Sequence, residues 1–392
     1  MSETLQPIER EREFREFAME HVHPYAHLHD TSQRISGSII PTLARHGYLA
    51  PFLPARWGGQ DMDMQTYGVL HEHLGRACSS VRSLLTVHDM VVSSILRWGS
   101  DLQRDQWLVP LSSGAVVAAF AISEPNAGSD VSGVETRGDP EEDGFRINGR
   151  KKWITFGQIA GVFLVLAKVE GKPTTFLIER DTPGLSVEPI LGMLGTRGSM
   201  LALLNFEDCW VSSTQVIGRI GFGANPVALS ALGLGRYSVA CGSLGIAQAC
   251  LDACYSHASS THRFGVALKE HQLIQEMISD MMTDVAATRL LCRLAGSLKD
   301  QKDSQEILQT FIAKYQASRC AMRVATNAVQ IHGANGCSSD CSVERLFRDA
   351  KVMEIIEGSN QIQQITIANL GFQEFERQRS LAKAAGARQR HA

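Results

Sequence analysis

The apolar period of this chain changes twice, and those two changes limit its fold more than any other feature. Up to about residue 115, apolar side chains return at helical spacing, through Ile39, Leu43 and Leu49 and again through Leu84, Met90, Ile95 and Leu96. Pro54, Gly58 and Gly59 interrupt that stretch with a loop. From 116 to 222 the runs become short and β-like, at 115–122, 162–169 and 174–178. Asn148-Gly149, between Phe145-Arg146-Ile147 and Trp153-Ile154-Thr155, predicts a two-residue hairpin. From 223 the helical period returns, and Leu273, Ile274, Met277, Ile278, Met281, Met282 and Val285 predict a buried stripe used for core packing. The basic, Ala-rich tail at 378–392 predicts a frayed end. Helices, strands and helices in that order disfavour a doubly wound α/β sheet and predict an α+β chain. Its units are a helical domain at 1–115, a β domain at 116–222 and a helical bundle at 223–392.

Composition removes several function classes. With 392 residues, 44% hydrophobic and 20% charged, the chain can bury large cores and is not a disordered one. A net charge of −3 with no clustered basic excess outside the tail gives nucleic acid no grip. No apolar run approaches the ~18 residues of a spanning helix, and Met1-Ser2-Glu3-Thr4-Leu5 carries no secretory signal. These features predict a cytoplasmic protein with no membrane partner. Nine cysteines, at 78, 209, 241, 250, 254, 292, 320, 337 and 341, include no C-x-x-C pair and predict reduced, mostly buried thiols. His21, His23, His27 and His29 are dense enough to suggest zinc, but Pro24 breaks the local geometry and no cysteine or carboxylate completes a set; no metal is expected. Gly233-Leu234-Gly235 lacks the third glycine and the preceding strand of a dinucleotide loop.

Three segments have a composition that packing does not explain. Phe120-Ala121-Ile122-Ser123-Glu124-Pro125-Asn126-Ala127-Gly128-Ser129-Asp130 is a strand running into a turn of small residues, hydroxyls and backbone donors, suited to a ring with imide edges or a phosphate. Lys152-Trp153-Ile154-Thr155 sets an indole beside a hydroxyl at a strand end. Gln330-Ile331-His332-Gly333-Ala334-Asn335-Gly336 is followed by Val343-Glu344-Arg345, Arg348-Asp349-Ala350-Lys351 and Ile355-Ile356-Glu357-Gly358-Ser359-Asn360-Gln361. In this order and spacing, the segments resemble the flavin-dependent acyl-CoA dehydrogenases over nearly the whole chain. The resemblance implies an N-terminal helical domain, a middle β-barrel or sandwich domain and a C-terminal four-helix bundle. It implies FAD between the last two, completed by a second subunit of a homodimer or homotetramer.

Residue by residue, the resemblance sets Phe120, Ile122, Ser123, Gly128 and Ser129 along the flavin ring, with Ser123 on its polar edge and Ser129 also facing substrate. Trp153, Ile154 and Thr155 cover the ring, the outer two as its usual pair. Phe264, His271 and Gln272 match contacts to the adenosine half. Gln330, Ile331, His332, Gly333 and Ala334 match pyrophosphate contacts made across the dimer. Gly358, Ser359, Asn360 and Gln361 match the turn after the catalytic carboxylate. Glu357 matches that carboxylate. Alone it reads as a helix-end glutamate before a capping glycine. Within the motif it is the base that takes the proton beside a thioester while the flavin accepts the β-hydride, and an apolar pocket at Ile355 and Ile356 raises its basicity. Arg236 matches an arginine near base and thioester, with a structural ion pair as its other reading. Arg348 and Asp349 read as pairing between helices.

Two departures matter. The arginine that usually clamps the partner's pyrophosphate is Thr261 here, with Arg263 two residues on as its possible substitute. The acid common in CoA-specific members, three places before Arg236, is Gly233. Cys78-Ser79-Ser80-Val81-Arg82-Ser83, Gly235-Arg236-Tyr237-Ser238-Val239-Ala240 and the segment from Lys351 to Ser359 are most similar to acyl-carrier-protein dehydrogenases of polyketide extender-unit routes, such as those to hydroxymalonyl or methoxymalonyl units. The expected substrate is therefore a short acyl thioester on a carrier protein. The alternatives are a short-chain acyl-CoA dehydrogenase feeding an electron-transfer flavoprotein, a flavin monooxygenase of the same fold, from which Glu357 argues away, and a flavin-stabilised structural subunit.

Overall fold

A computed structural model describes residues 10–389, with side chains through residue 380. Six helices come first: α1 (Glu11–Phe17), α2 (Ala26–Thr31), α3 (Ile39–Arg45), α4 (Met64–Ala77), α5 (Ser79–Trp98) and α6 (Asp101–Ser112). Asp63 caps α4 by accepting the Thr66 amide at 2.8 Å. Ser100 and Gln103 close a capping box on α6. Between α1 and α2 the chain winds through a π turn and a 3₁₀ turn carrying Pro24, which spreads the four histidines apart. His29 is buried and bound to the Ser36 amide at 3.1 Å, whereas His23 and His27 are exposed. Among the described residues no group of three or more His, Cys, Asp or Glu could hold a metal ion.

Eight strands form one mixed sheet: β1 (Ala118–Ala121), β2 (Arg137–Glu141), β3 (Gly144–Ile154), β4 (Val162–Val169), β5 (Lys172–Glu179), β6 (Leu185–Pro189), β7 (Ala202–Ser212) and β8 (Val216–Ile217). Their order is β6-β7-β3-β2-β4-β5-β8, and β1 lies parallel to β4. The hairpin expected at Asn148-Gly149 is absent. Residues 144–154 form one strand, and the turn falls between Glu141 and Gly144, which pair. Gly149 instead marks a bulge: the register against β7 shifts between Ile147 and Gly149, and Gly149 has φ 144°. A Cβ there would meet Thr136 at 2.6–2.9 Å, so glycine serves a close approach rather than a turn.

The last part contains α7 (Leu229–Ser260), a small hairpin β9 (His262–Arg263) and β10 (Val266–Ala267), then α8 (Gln272–Asp300), α9 (Glu306–His332), α10 (Ser342–Met353) and α11 (Asn360–Gln389). The central helix, α7, packs on α4, α5, α8 and α9 around Tyr67, Leu84, Tyr237, Leu244, Ala317 and Val324. One 18-residue window within 223–260 does reach a mean hydropathy of 1.2, contrary to the sequence reading; 72% of it is buried inside the protein, so its apolarity is that of a core helix. Two further expectations fail. Leu273 is 71% exposed and Met282 49%, so only Met281 and Val285 of the α8 stripe are fully buried; Ile274, Met277 and Ile278 are half-buried against the core, and Leu273 and Met282 fall outside the packed face. The tail stays helical to Gln389, as the high helix propensity of its alanines favours; residues 390–392 lie outside the described residues. All described cysteines are free, and all but Cys337 and Cys341 are buried.

Candidate active site

Glu357 sits in the turn between α10 and α11 with φ 55°, a left-handed conformation that costs a residue with a Cβ about 1–3 kcal/mol. Three side chains hold that turn. The Arg236 Nε donates to the Glu357 carbonyl at 3.2 Å, the Gln363 amide donates to the carbonyls of Glu357 (3.1 Å) and Gly358 (3.0 Å), and Lys314 Nζ donates to the Gly358 carbonyl at 2.7 Å. Ser318 then fixes Asn360 at 2.9 Å. With the backbone so restrained, the carboxylate projects toward α7, and its Oε2 is buried without a hydrogen-bond partner. Gly235 on α7 makes the space. A Cβ at that position would lie 2.5 Å from Oε2 and 2.7 Å from the sulfur of Met90.

Burial raises the Glu357 carboxyl above its ordinary range, while the charges of Arg236, Lys314 and Arg82 pull it back. Burial likewise brings Lys314 down to about 7, against the pull of Glu357. Arg236 spends its charge differently from a simple ion pair. It binds the glutamate's backbone and lays its guanidinium over Phe311 at 4.5 Å. A partly apolar, positively framed carboxylate with a free oxygen is built to accept a proton. Sequence reading found Glu357 and Arg236 but missed Lys314 and Gln363, whose roles depend on a turn 44 and 6 residues away respectively.

The second group gathers at the end of β1 and β3. Ser123 accepts the Lys152 amide at 2.8 Å, so the loop after β1 runs beside Trp153 and Thr155. The anchor is an ion pair the sequence reading did not identify: Lys151 Nζ lies 2.6 Å from Glu124 and 3.0 Å from the Ile122 carbonyl. Glu124 further accepts from the Glu135 amide (2.6 Å), the Thr136 amide (3.0 Å) and the Thr136 hydroxyl (2.6 Å). Trp153 takes φ 67°, is 46% exposed and carries Lys152 over its ring at 4.5 Å. Ile122 and Ile154 bury their side chains in the core, leaving only backbone for a ligand. Phe120, Ser123 and Thr155 are half-buried, and Gly128 and Ser129 are exposed, with open space about Gly128.

The third group is remote from the first. Arg263 and Phe264 lie on the β9–β10 hairpin; Phe264 is 97% exposed at φ 51°, and among the described residues the Arg263 guanidinium bonds only the neighbouring His262 carbonyl. His271 reaches the Arg263 carbonyl at 3.3 Å, with Gln272 exposed beside it. His332 stacks on His257 near the end of α7, ring centres 4.2 Å apart, and brings the exposed Gln330, Gly333 and Ala334 with it, while Ile331 is buried. Arg236 and Ser260 lie 24 residues apart in α7, about 36 Å along its axis. Ser359, Asn360 and Gln361 stay beside Glu357. Arg348 ties α10 to Asp30 at 2.6 Å and also pairs with Glu344, whereas Asp349 accepts the Thr196 amide at 2.6 Å and faces Arg345.

An orphaned carboxylate oxygen, an open glycine loop and an exposed, strained indole suit a flat cofactor with polar edges laid against the β domain. Three family models match the chain in sequence: acyl-CoA dehydrogenase N-terminal domain over residues 9–115, middle domain over 119–209 and C-terminal domain over 225–371. The chain belongs to the acyl-CoA dehydrogenase family, FAD-dependent oxidoreductases acting on the CH–CH bond of acyl thioesters. It is 34% identical over 360 residues to the short-chain specific acyl-CoA dehydrogenase of rat mitochondria, covering 90% of this chain and 87% of that one. Among solved structures, FkbI, described as serving biosynthesis of the methoxymalonyl extender unit of a polyketide, has a TM-score of 0.84 at 30% identity, over 93% of this chain and 99% of its own. The prolyl acyl carrier protein oxidase AnaB has a TM-score of 0.88 at 26% identity, over 93% and 99%.

Proposed function

We propose that this dehydrogenase oxidises a short acyl group carried on an acyl carrier protein, in the making of a polyketide extender unit. The observation that carries the carrier reading is Gly233. It stands one helical turn before Arg236 with nothing within 4 Å of where a Cβ would be, so the position holds no acid for a CoA nucleotide. The likeness to FkbI and AnaB supports it. In this reading Glu357 takes the proton from the carbon beside the thioester, its free Oε2 being the receiving atom. Arg236, with Nε committed to the Glu357 carbonyl, offers its other N–H groups to the enolate-like charge. FAD, when bound, accepts the hydride from the β-carbon. Ser123, Thr155 and the backbone at Ile122 and Ile154 orient its ring, and Trp153 shields the ring from water.

The distance along α7 bears on assembly. Residues gathered at the far end of α7, which spans about 36 Å from Arg236 to Ser260, lie too far from the Arg236 end to serve the same cofactor from the same chain, so Arg263, Phe264, His271, Gln272 and residues 330–334 serve the site of a second copy in a dimer or tetramer. The test of the carrier is anaerobic flavin reduction by one short acyl group presented on CoA and on a carrier protein. Faster reduction on the carrier supports this reading; equal or faster reduction on CoA returns the chain to short-chain acyl-CoA oxidation with an electron-transfer flavoprotein as acceptor, which the 34% identity to the rat enzyme favours.

A further inference from the structure

The turn that leads into α7 carries an exposed basic and aromatic patch that the chemistry at Glu357 leaves unused. Arg97, at the end of α5, sets its guanidinium over the ring of Trp98 at 4.9 Å, and Arg219, just after β8, sets its own over Phe222 at 3.9 Å. The two rings meet edge to face with centres 6.4 Å apart, so the pairs form one surface. Both arginines are exposed, and the exposed side chains of Ile220 and Leu229 border them. Among the described residues neither arginine forms an ion pair; Asp101, the acid nearest Arg97 in sequence, is taken by Arg104 at 2.8 Å. A guanidinium stacked by its face keeps its N–H edge free for a carboxylate or a phosphate.

The patch is held in shape. The Gly218 amide donates to the Trp98 carbonyl at 3.1 Å and the Trp98 indole to the Ser230 hydroxyl at 3.2 Å, which joins the loop after β8 to the end of α5 and the start of α7. Gly218 and Gly221 take φ 76° and 87°, and the Gly221 amide reaches the Thr174 hydroxyl at 3.3 Å. A surface fixed in this way loses little freedom when a partner covers it.

Its position relative to Glu357 points to the partner. Leu229, Gly233 and Arg236 follow at i, i+4 and i+7 on one face of α7. Leu229 lies at the patch, nothing stands within 4 Å of a Cβ at Gly233, and Arg236 holds the Glu357 carbonyl. From Leu229 to Arg236 the helix rises about 10 Å. A phosphopantetheine arm has about thirteen chain atoms between phosphorus and sulfur, the backbone length of four to five residues, and extends to ~15 Å. A thioester at Glu357 therefore sets the phosphodiester of its arm, and the protein that bears it, over the patch.

We propose that this patch docks the acyl carrier protein, with Arg97 and Arg219 pairing with acidic side chains beside the serine that bears the arm, and Ile220 and Leu229 giving the apolar contact. The inference rests on the carrier reading and on Glu357 as the base, and adds to them the surface of recognition. Charges at such a rim steer encounter and fix orientation. They make recognition of the carrier sensitive to salt in a way that a small thioester does not share.

The test measures anaerobic flavin reduction by one short acyl group on a carrier protein, on CoA and on pantetheine, in the parent holoenzyme and in the double variant Arg97→Glu/Arg219→Glu. On the carrier, the reversal should raise the half-saturating concentration ~10–100-fold and leave the saturating rate within about twofold, because like charges then face each other. On pantetheine both values should stay within about threefold of the parent, which also shows that the variant folds and holds flavin. Raising salt to ~0.5 M should weaken the parent on the carrier and leave the variant almost unmoved. A carrier preference that survives the double reversal overturns the proposal, as does an equal loss on CoA or on pantetheine. Failure of the carrier reading shows in the parent alone, as reduction on CoA equal to or faster than on the carrier.

Discussion

At the scale of single residues, the candidate site depends on a carboxylate that the fold holds in an unfavourable backbone conformation with one oxygen, Oε2, buried. Glu357→Gln should bind flavin normally and lose ~10²–10⁴-fold in the rate of flavin reduction by substrate, the usual cost of removing a general base; stopped-flow measurement under anaerobic conditions decides it. The pH dependence follows from the direction of the shift. Only ionised Glu357 accepts a proton, and burial raises its carboxyl, so reduction should rise with pH through an inflection above the ~4.3 of an ordinary glutamate. Lys314 opposes that rise, so Lys314→Met should move the inflection further up in the same pH series. Gly235→Ala separates geometry from stability. Alanine gains ~1 kcal/mol of helix propensity, yet its Cβ takes the place of Oε2. The melting temperature should hold or rise while reduction falls more than ~10²-fold, as misplacement by about 1 Å can do.

At the scale of elements, the side of the site proposed to face the flavin hangs on one buried ion pair and one bulge. Lys151 is brought down to about 8 by burial even with Glu124 beside it, so the pair is costly to keep and costlier to break. Lys151→Met leaves Glu124 buried with no cation; the fold should lose about 3–5 kcal/mol in urea unfolding, and flavin should be released at lower denaturant than in the parent. Gly149→Ala tests the bulge. With φ 144° and Thr136 in the way, it should cost ~1–3 kcal/mol in the same assay, whereas a position in a two-residue hairpin turn would leave the β3–β7 register untouched.

At the scale of the molecule, the separation of Arg236 from the β9–β10 hairpin predicts shared sites. Arg263→Ala should lower flavin retention, measured as the absorbance ratio after gel filtration. Mixing that variant with Glu357→Gln subunits should restore about a quarter of parent activity, since half of randomly formed dimers are mixed and each would contain one complete site. No recovery on mixing would place Arg263 and Glu357 in the same site and refute the shared-cofactor arrangement.

The sequence by itself determined the order of helices, strands and helices, because amphipathic period is a local property carried by neighbouring residues. It also determined the Glu357 motif and the Ser123 and Trp153 segments, since each lies within a run of ten or so residues whose composition is unusual. What only the tertiary structure decided were relations across the chain. Asn148-Gly149 has the composition of a turn and becomes a bulge because Thr136 crosses beside it. Leu273 and Met282 have the period of a core stripe, but α8 lies at a surface where apolar residues occur on more than its packed face. Lys151 finds Glu124 and Lys314 finds Gly358 through contacts 27 and 44 residues apart in sequence. A charged side chain looks the same in a sequence whether water or a buried partner surrounds it; desolvation, which sets its energy, exists only after the chain has closed around it.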